Sequence, residues 1–329
     1  MGDSVKFGVE FVPYKTCDVL ISLAKRVEDA GFDYVWVCDH YHNRYVHSVL
    51  TALALATKRV RLGPGVTNPY LVHPAVTAAA IATLDEISRG RAVFGISAGD
   101  PIFLATVGVK HHKPIAAVRE AVYIARRLLA GERVDFSGEV FTCRGAKLRF
   151  RPDAGVPIYV GGRGPRMLEL AGSIADGALI NASHRDDLEE CINYVKKGAR
   201  SSNKKLEELD VVAYMATSID EDAEKARRAV RRIVAFITSS APPWALERHG
   251  IPLDKVEEIR RYLRGGEVQK AAEAVTDRMI DAFAICGTPS DFRRHIDDLD
   301  KLGITQVVLG APIGPEPSKA IDSIGKLLK

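Results

Sequence analysis

Eight short apolar runs, each rich in β-branched residues, alternate along this chain with longer amphipathic stretches. The strand-like runs span 5–11, 34–39, 60–66, 92–97, 157–161, 177–182, 211–219 and 306–310. Helical periodicity fills the gaps, for example at 18–30, 74–87, 114–130 and 166–175. Gly31, Gly90, Gly131 and Gly303 stand where helices should stop. Strands apolar on both faces and separated by helices pair in parallel under a helical cover. Eight such units fit an α/β fold of the closed TIM (β/α)8 barrel type. An open doubly wound sheet suits fewer strands and places a Gly-rich turn after the first one. Here the first strand runs instead into Glu10-Phe11-Val12-Pro13.

The 329 residues read as one barrel domain, 1–329, with two insertions. Alternating β-prone residues at 136–151 predict a hairpin. The mainly helical stretch 220–284 interrupts the step between the seventh and eighth strands and holds the kinked link Ser239-Ser240-Ala241-Pro242-Pro243-Trp244. Hydrophobic residues make up 47% of the chain, enough for a large core, and the net charge of +4 is spread thinly. No basic run is interleaved with aromatics, which argues against nucleic acid as a partner. The densest basic stretch, Lys225 to Arg232, alternates with apolar residues at helical spacing and reads as a solvated helix face. Five cysteines, Cys17, Cys38, Cys143, Cys191 and Cys286, lie far apart without CxxC spacing, so no disulfide framework is expected. The start of the chain lacks a signal-peptide core, and Lys6 occupies the place where an N-myristoylation signal on Gly2 needs Ser or Thr. No run is long and apolar enough to span a membrane. A cytoplasmic location is the simplest expectation.

In such a barrel, chemistry gathers where the strands end. The third strand ends in Arg61-Leu62-Gly63-Pro64-Gly65-Val66-Thr67-Asn68-Pro69-Tyr70, two glycines and two prolines where strand interiors exclude both. Glycine permits close approach and proline fixes direction, so this end reads as a ledge for something flat. Glu10 closes the first strand between Val9 and Phe11, flanks that favour burial and a raised carboxyl pKa. Asp39 and His40 end the second and either serve a ligand or bond one another. Ser97-Ala98-Gly99-Asp100 ends the fourth, with Asp100 either functional or an ordinary helix N-cap. Gly161-Gly162-Arg163-Gly164-Pro165-Arg166 follows the fifth strand and opens a helix, a combination that suits phosphate. Asn181 ends the sixth. His42, His47, His111 and His112 have no metal-ligand spacing, and no metal site is expected. A phosphate cradle, a distorted ledge and several carboxylates suit an enzyme that holds a planar redox cofactor.

The segment Ile81-Ala82-Thr83-Leu84-Asp85-Glu86-Ile87-Ser88-Arg89-Gly90-Arg91 and the strand after it resemble the luciferase-like, flavin- or deazaflavin-dependent barrel superfamily. Within it the chain resembles the coenzyme F420-dependent methylenetetrahydromethanopterin reductases. The resemblance is carried by Phe7 to Pro13, Leu62 to Tyr70, Gly177 to Ser183, Glu247-Arg248-His249-Gly250 and Gly310 to Pro315. It implies a luciferase-like barrel with insertions and a reversible hydride transfer from reduced F420 to methylenetetrahydromethanopterin, giving the methyl form, in methanogenesis or its reverse. It implies a non-prolyl cis peptide at Gly65–Val66, backing the deazaflavin, with Thr67 and Asn68 beside it. It implies cofactor contacts from Asp39, His40, Gly99, Gly161, Gly162, Arg163, Gly164 and Asn181. Glu10 and Asp100 match the two acids of the substrate pocket, one of them protonated. Family members are usually homodimers or homotetramers. Where the family's turn begins Gly-Pro, this chain has Ser97-Ala98, and Arg144 to Arg151 is unusually basic, free either to meet the anionic cofactor tail or to be solvated. Alternatives within the superfamily are another F420-dependent dehydrogenase and an FMN monooxygenase; a non-catalytic flavin-binding barrel is the alternative of a different class.

Overall fold

The computed structural model describes residues 5–328. Met1 to Ser4 and Lys329 lie outside the described residues, as do the Gly2 expectation and the two ends of the 1–329 domain. The chain begins with β1 (Lys6–Phe11), α1 (Cys17–Asp29), β2 (Tyr34–Val37), α2 (Val46–Ala56), β3 (Arg61–Pro64), α3 (Pro74–Ser88) and β4 (Phe94–Ile96). Then come α4 (Pro101–Thr106), α5 (Pro114–Leu129), the hairpin strands β5 (Val134–Ser137) and β6 (Thr142–Ala146), β7 (Ile158–Gly162), α6 (Pro165–Ile174) and β8 (Gly177–Ile180). After α7 (Arg185–Ser201) and β9 (Asp210–Ile219) follow five helices: α8 (Ala223–Ser239), α9 (Pro243–Arg248), α10 (Leu253–Arg264), α11 (Val268–Glu273) and α12 (Asp277–Phe283). The chain closes with β10 (Ala284–Gly287), α13 (Pro289–Leu299), β11 (Gln306–Ile313) and α14 (Pro317–Leu327).

Eight parallel strands run in the order β3-β2-β1-β11-β9-β8-β7-β4. Two isolated parallel bridges, Leu62 to Ala92 and Thr67 to Ile96, join β3 to β4 and close the ring. The chain is a (β/α)8 barrel. Alternate side chains fill different spaces. Tyr34 and Trp36 of β2 point inward with Val93, Tyr159, Leu179, Val212 and Val308, while Val35 and Val37 face the helices. Both faces are dry, which is why these strands read as unbroken apolar runs. The β3–β4 seam is tight: a Cβ on Gly63 would lie 1.9 Å from the Val93 carbonyl oxygen, and one on Gly95 2.2 Å from that of Pro64. Gly63 therefore serves barrel closure rather than a ligand.

Three details differ from the expectations. The hairpin is paired from Val134 to Ala146, shorter than 136–151 at its far end, and the basic side chains Arg144, Lys147, Arg149 and Arg151 are exposed. Glu120 of α5 holds the hairpin tip by accepting the N–H groups of Glu139 (2.6 Å), Val140 (3.0 Å) and Phe141 (2.9 Å). The basic face of α8 is more than solvated. Arg227 bonds Asp281 at 2.8 Å, and Arg231 donates to the Val275 carbonyl at 2.5 Å, tying α8 to α12 and the turn before it. Finally, the helical insertion ends in a ninth strand: β10 pairs with the tail of β9, Ala284 opposite Ala216 through Gly287 opposite Ile219.

Candidate active site

Glu10 reaches the mouth because β1 presents it inward, one strand from the β11 bulge. Its Oε2 accepts the Ala311 N–H at 3.3 Å. The Tyr214 hydroxyl is a second polar neighbour. Burial pushes the Glu10 carboxyl up to about 7, against the opposing bonds from Ala311 and Tyr214. A half-buried carboxyl that retains its proton near neutrality is an acid able to donate.

Beside it, β3 runs into the Gly65–Val66 peptide, which is cis. Gly65 is pressed on the barrel filling: a Cβ there would lie 2.7 Å from Trp36 Cβ and 2.8 Å from the Tyr214 hydroxyl. Tyr214 Oη donates to the Gly65 carbonyl at 2.9 Å. Val66 tops the inner core and meets Gly161, whose Cβ would come within 3.0 Å of Val66 Cγ1. Ser97 Oγ donates to the Gly161 carbonyl at 2.7 Å, fastening the far edge of this ledge.

Next around the mouth, Asp39 bonds not His40 but Thr67, whose Oγ1 donates to Asp39 Oδ2 at 2.6 Å. His40 Nδ1 faces Cys38 Sγ at 3.7 Å. Burial, reinforced by His42, lowers the His40 pKa, with Asp39 and Asp100 opposing, so the imidazole is neutral at neutral pH. Asn68 is buried and its Oδ1 accepts the Tyr70 and Leu71 N–H groups, each at 3.1 Å. Gly99, at φ +74°, packs against Asn68. Asp100 is the N-cap of α4, Oδ1 accepting the Ile102 N–H at 2.7 Å. It stands three strands from Glu10 around the ring.

The third cluster follows β7. Gly164 caps α6 with open space around its Cβ position and no side-chain cap on the free N–H groups. Gly162 is filled from behind by Met167. Arg163 does not point freely at an anion: it donates to Asn181 Oδ1 at 3.2 Å and to the Ile237 carbonyl at 3.5 Å, joining the rim to α8.

Residues 7–306 match the luciferase-like monooxygenase family. A 5,10-methylenetetrahydromethanopterin reductase of Archaeoglobus fulgidus is 49% identical over 326 residues, covering 98% of both chains. The solved structure of the coenzyme F420-dependent tetrahydromethanopterin reductase from Methanopyrus kandleri matches with a TM-score of 0.93 at 39% identity, over 98% of both chains. The chain belongs to the luciferase-like family and, within it, to the 5,10-methylenetetrahydromethanopterin reductases. An F420-dependent secondary alcohol dehydrogenase, solved with an F420–acetone adduct, matches at a TM-score of 0.84 and 25% identity, over 98% of both chains.

Two features of this luciferase-like barrel escaped the sequence reading. Tyr214, inside β9, looks like core filling in a strand of apolar neighbours. His184, Asp187 and His249 bring ligand atoms within 4.8 Å of one another at the start of α7. Arg248 Nη1 donates to Asp187 Oδ1 at 2.7 Å, and His249 Nε2 sits 2.9 Å from Asp187 Oδ2. A guanidinium already supplies the positive charge a metal would bring, so the trio reads as an ion-paired clasp between α7 and α9.

Proposed function

We propose that the chain catalyses reversible hydride transfer between reduced coenzyme F420 and 5,10-methylenetetrahydromethanopterin, giving methyltetrahydromethanopterin. Coenzyme F420, when bound, supplies the hydride. The residues fit such a group. The Gly65–Val66 ledge leaves a flat apolar support that side chains at Gly65 or Gly161 would crowd. The uncapped N-terminus of α6 at Gly164, after Gly161 and Gly162, suits the cofactor's phosphate. Arg163 acts by positioning Asn181 at the same rim. Asp39, braced by Thr67, and neutral His40 offer polar contacts at one edge of the ring, with Asn68 and Gly99 shaping the turn beneath them.

The single observation that carries the reaction is the Glu10 carboxyl beside this ledge, raised to about 7 by burial. Glu10 gives its proton to the amine nitrogen that leaves the methylene carbon, so that the substrate ring opens and the carbon becomes electrophilic. Asp100, already committed to capping α4, orients the pterin instead. The remaining requirement is geometric: donor and acceptor carbons must be held face to face. We further propose that one domain carries the activity and works as a homodimer or homotetramer in the cytoplasm. Val19, Leu55 and Val76, exposed on the neighbouring helices α1, α2 and α3, supply apolar surface for self-association. Among the described residues no helix is long and apolar enough to cross a membrane.

The test is anaerobic absorbance of F420, with purified protein, reduced F420 and methylenetetrahydromethanopterin. Oxidised F420 should appear only when the pterin is present. Oxidation by acetone and not by the pterin would reassign the chain to the alcohol dehydrogenases.

A further inference from the structure

The ladder between β4 and β7 ends with Ile96 opposite Val160. The next residue, Ser97, gives its backbone to the other neighbour: its N–H donates to the Thr67 carbonyl at 2.9 Å, just past the Gly65–Val66 ledge. The Gly161 carbonyl of β7 is met instead by a side chain, the Ser97 hydroxyl, at 2.7 Å. One half-buried serine thus touches two parts of the mouth that come from different strands. The space between those parts is small. A Cβ on Gly161 would lie 3.0 Å from Val66 Cγ1 and 3.5 Å from Ser97 Cβ. The turn after β7 therefore opens with two glycines, the backbone that is loosest by itself. The peptide between them is planar, so a tie on the Gly161 carbonyl also fixes the direction of the Gly162 N–H. From the β8 side, the Asn181 N–H holds the Gly162 carbonyl at 3.2 Å. Two residues further on, Gly164 opens α6 with no side-chain cap on its N–H groups.

We propose that Ser97 is a positioning residue for the cofactor: its N–H holds the turn at Thr67, its hydroxyl holds the Gly161–Gly162 peptide, and together they fix the spacing between the ring ledge and the phosphate turn. The inference rests on the F420 reading and deepens it, since Ser97 acts through Thr67 and Gly161 and not by touching the cofactor. Its two bonds differ in what a substitution can remove. The backbone bond to Thr67 survives any side chain, and only the tie to Gly161 depends on the hydroxyl. Without that tie the diglycine turn keeps the Asn181 bond on one side and is free on the other. A loose turn must be ordered when an anion binds, and that ordering subtracts from affinity. The sequence agrees with such a role. This chain has alanine at 98 where its family's turn has proline, a ring that stiffens the backbone by itself, and the hydroxyl at 97 supplies stiffness from outside.

The experiment compares the parent with Ser97→Ala, which removes the hydroxyl and keeps the N–H, and with Ser97→Thr, which keeps both. The first readout is amide hydrogen exchange in cofactor-free protein. Exchange over residues 161–164 should quicken roughly fivefold in Ser97→Ala, the worth of one ordinary hydrogen bond, while β8 exchanges as before. The second is the Kd for oxidised F420 by equilibrium dialysis, which should rise by about the same factor with kcat unchanged. Ser97→Thr should return both to the parent values. Either readout at its parent value in Ser97→Ala overturns the inference. So does a fall in kcat at constant Kd, which would put the hydroxyl in the chemical step. Should Ser97→Ala not fold, Ser97→Cys, a weaker donor of similar shape, is read the same way. Exchange needs no cofactor and Kd needs no turnover. A parent that binds F420 without oxidising it for the pterin would therefore strike the proposed reaction and leave Ser97 to its own two readouts.

Discussion

The Ala311 N–H points at Glu10 Oε2 from 3.3 Å, a backbone bond to a carboxyl held at the barrel mouth. That bond and the one from the Tyr214 hydroxyl are too little to offset burial, and the pKa rises from 4.5 to about 7. The folded protein therefore binds this proton more tightly than the unfolded chain does. Stability contributed by Glu10 is intact below pH 4.5 and is lost as the pH rises to about 7. The ceiling is about 3 kcal/mol, trimmed by partial solvent access. Glu10→Gln should flatten that part of the stability profile and raise Tm at pH 8 relative to the parent. Urea unfolding at pH 5 and pH 8 reads it; parallel profiles for the two proteins would contradict it.

Two glycines of the site should respond oppositely to alanine. At Gly65 the added methyl meets Trp36 and Tyr214 at 2.7 and 2.8 Å, inside a filled barrel. Overpacking of this kind costs about 1–3 kcal/mol. Gly65→Ala should lower Tm by several degrees and abolish turnover. At Gly164 nothing lies within 4 Å of the Cβ position. Gly164→Ala should leave Tm unchanged and raise the KM for F420, because a methyl at the α6 N-terminus obstructs an anion. Equal F420 affinity in Gly164→Ala and parent would remove this turn from the cofactor site.

Thr67 is the brace for Asp39. Its hydroxyl donates at 2.6 Å to a carboxylate that has no other bonded side chain among the described residues. Thr67→Val keeps the shape and leaves Asp39 unbraced, a loss of about 1–2 kcal/mol. The expectation is an F420 KM raised roughly tenfold with kcat little changed, since one such bond corresponds to about one decade. Thr67→Ser should recover most of the affinity. A kcat defect without a KM effect would place Asp39 in the chemical step instead.

What could be read ahead of the structure follows the range of the interactions involved. All eight barrel strands were legible because each is buried on both faces, and burial writes itself as a local apolar run bounded by glycine. β10 was not, since Ala284-Ile285-Cys286-Gly287 is short and owes its pairing to β9, some sixty-odd residues earlier. Glu10, Gly65 and the turn after β7 were legible as strand-end positions. The Asp39–Thr67 bond was not, because it joins positions that become neighbours only when β2 pairs with β3. Tyr214 was hidden for a different reason: an inward aromatic in a barrel strand looks the same in sequence whether its hydroxyl is idle or bonded.

Asp187 offers the last test. It is buried in the first turn of α7, and burial alone would raise its pKa, but bonds from His249 and Arg248 outweigh that and hold it below 3.8. A depressed carboxyl adds stability that is present above pH 3.8 and is lost as the pH falls through the folded value. Asp187→Asn should therefore destabilise the protein by about 2 kcal/mol at pH 7, by leaving Arg248 and His249 without their anion, and the difference should shrink in acid. Arg248 also bonds Glu190, so Arg248→Met should release both ends of the clasp and lower Tm further. Because the guanidinium neutralises Asp187, dialysis against EDTA should leave Tm unchanged. A Tm that falls with chelator and returns with zinc would make His184, Asp187 and His249 a metal centre and Arg248 its outer support.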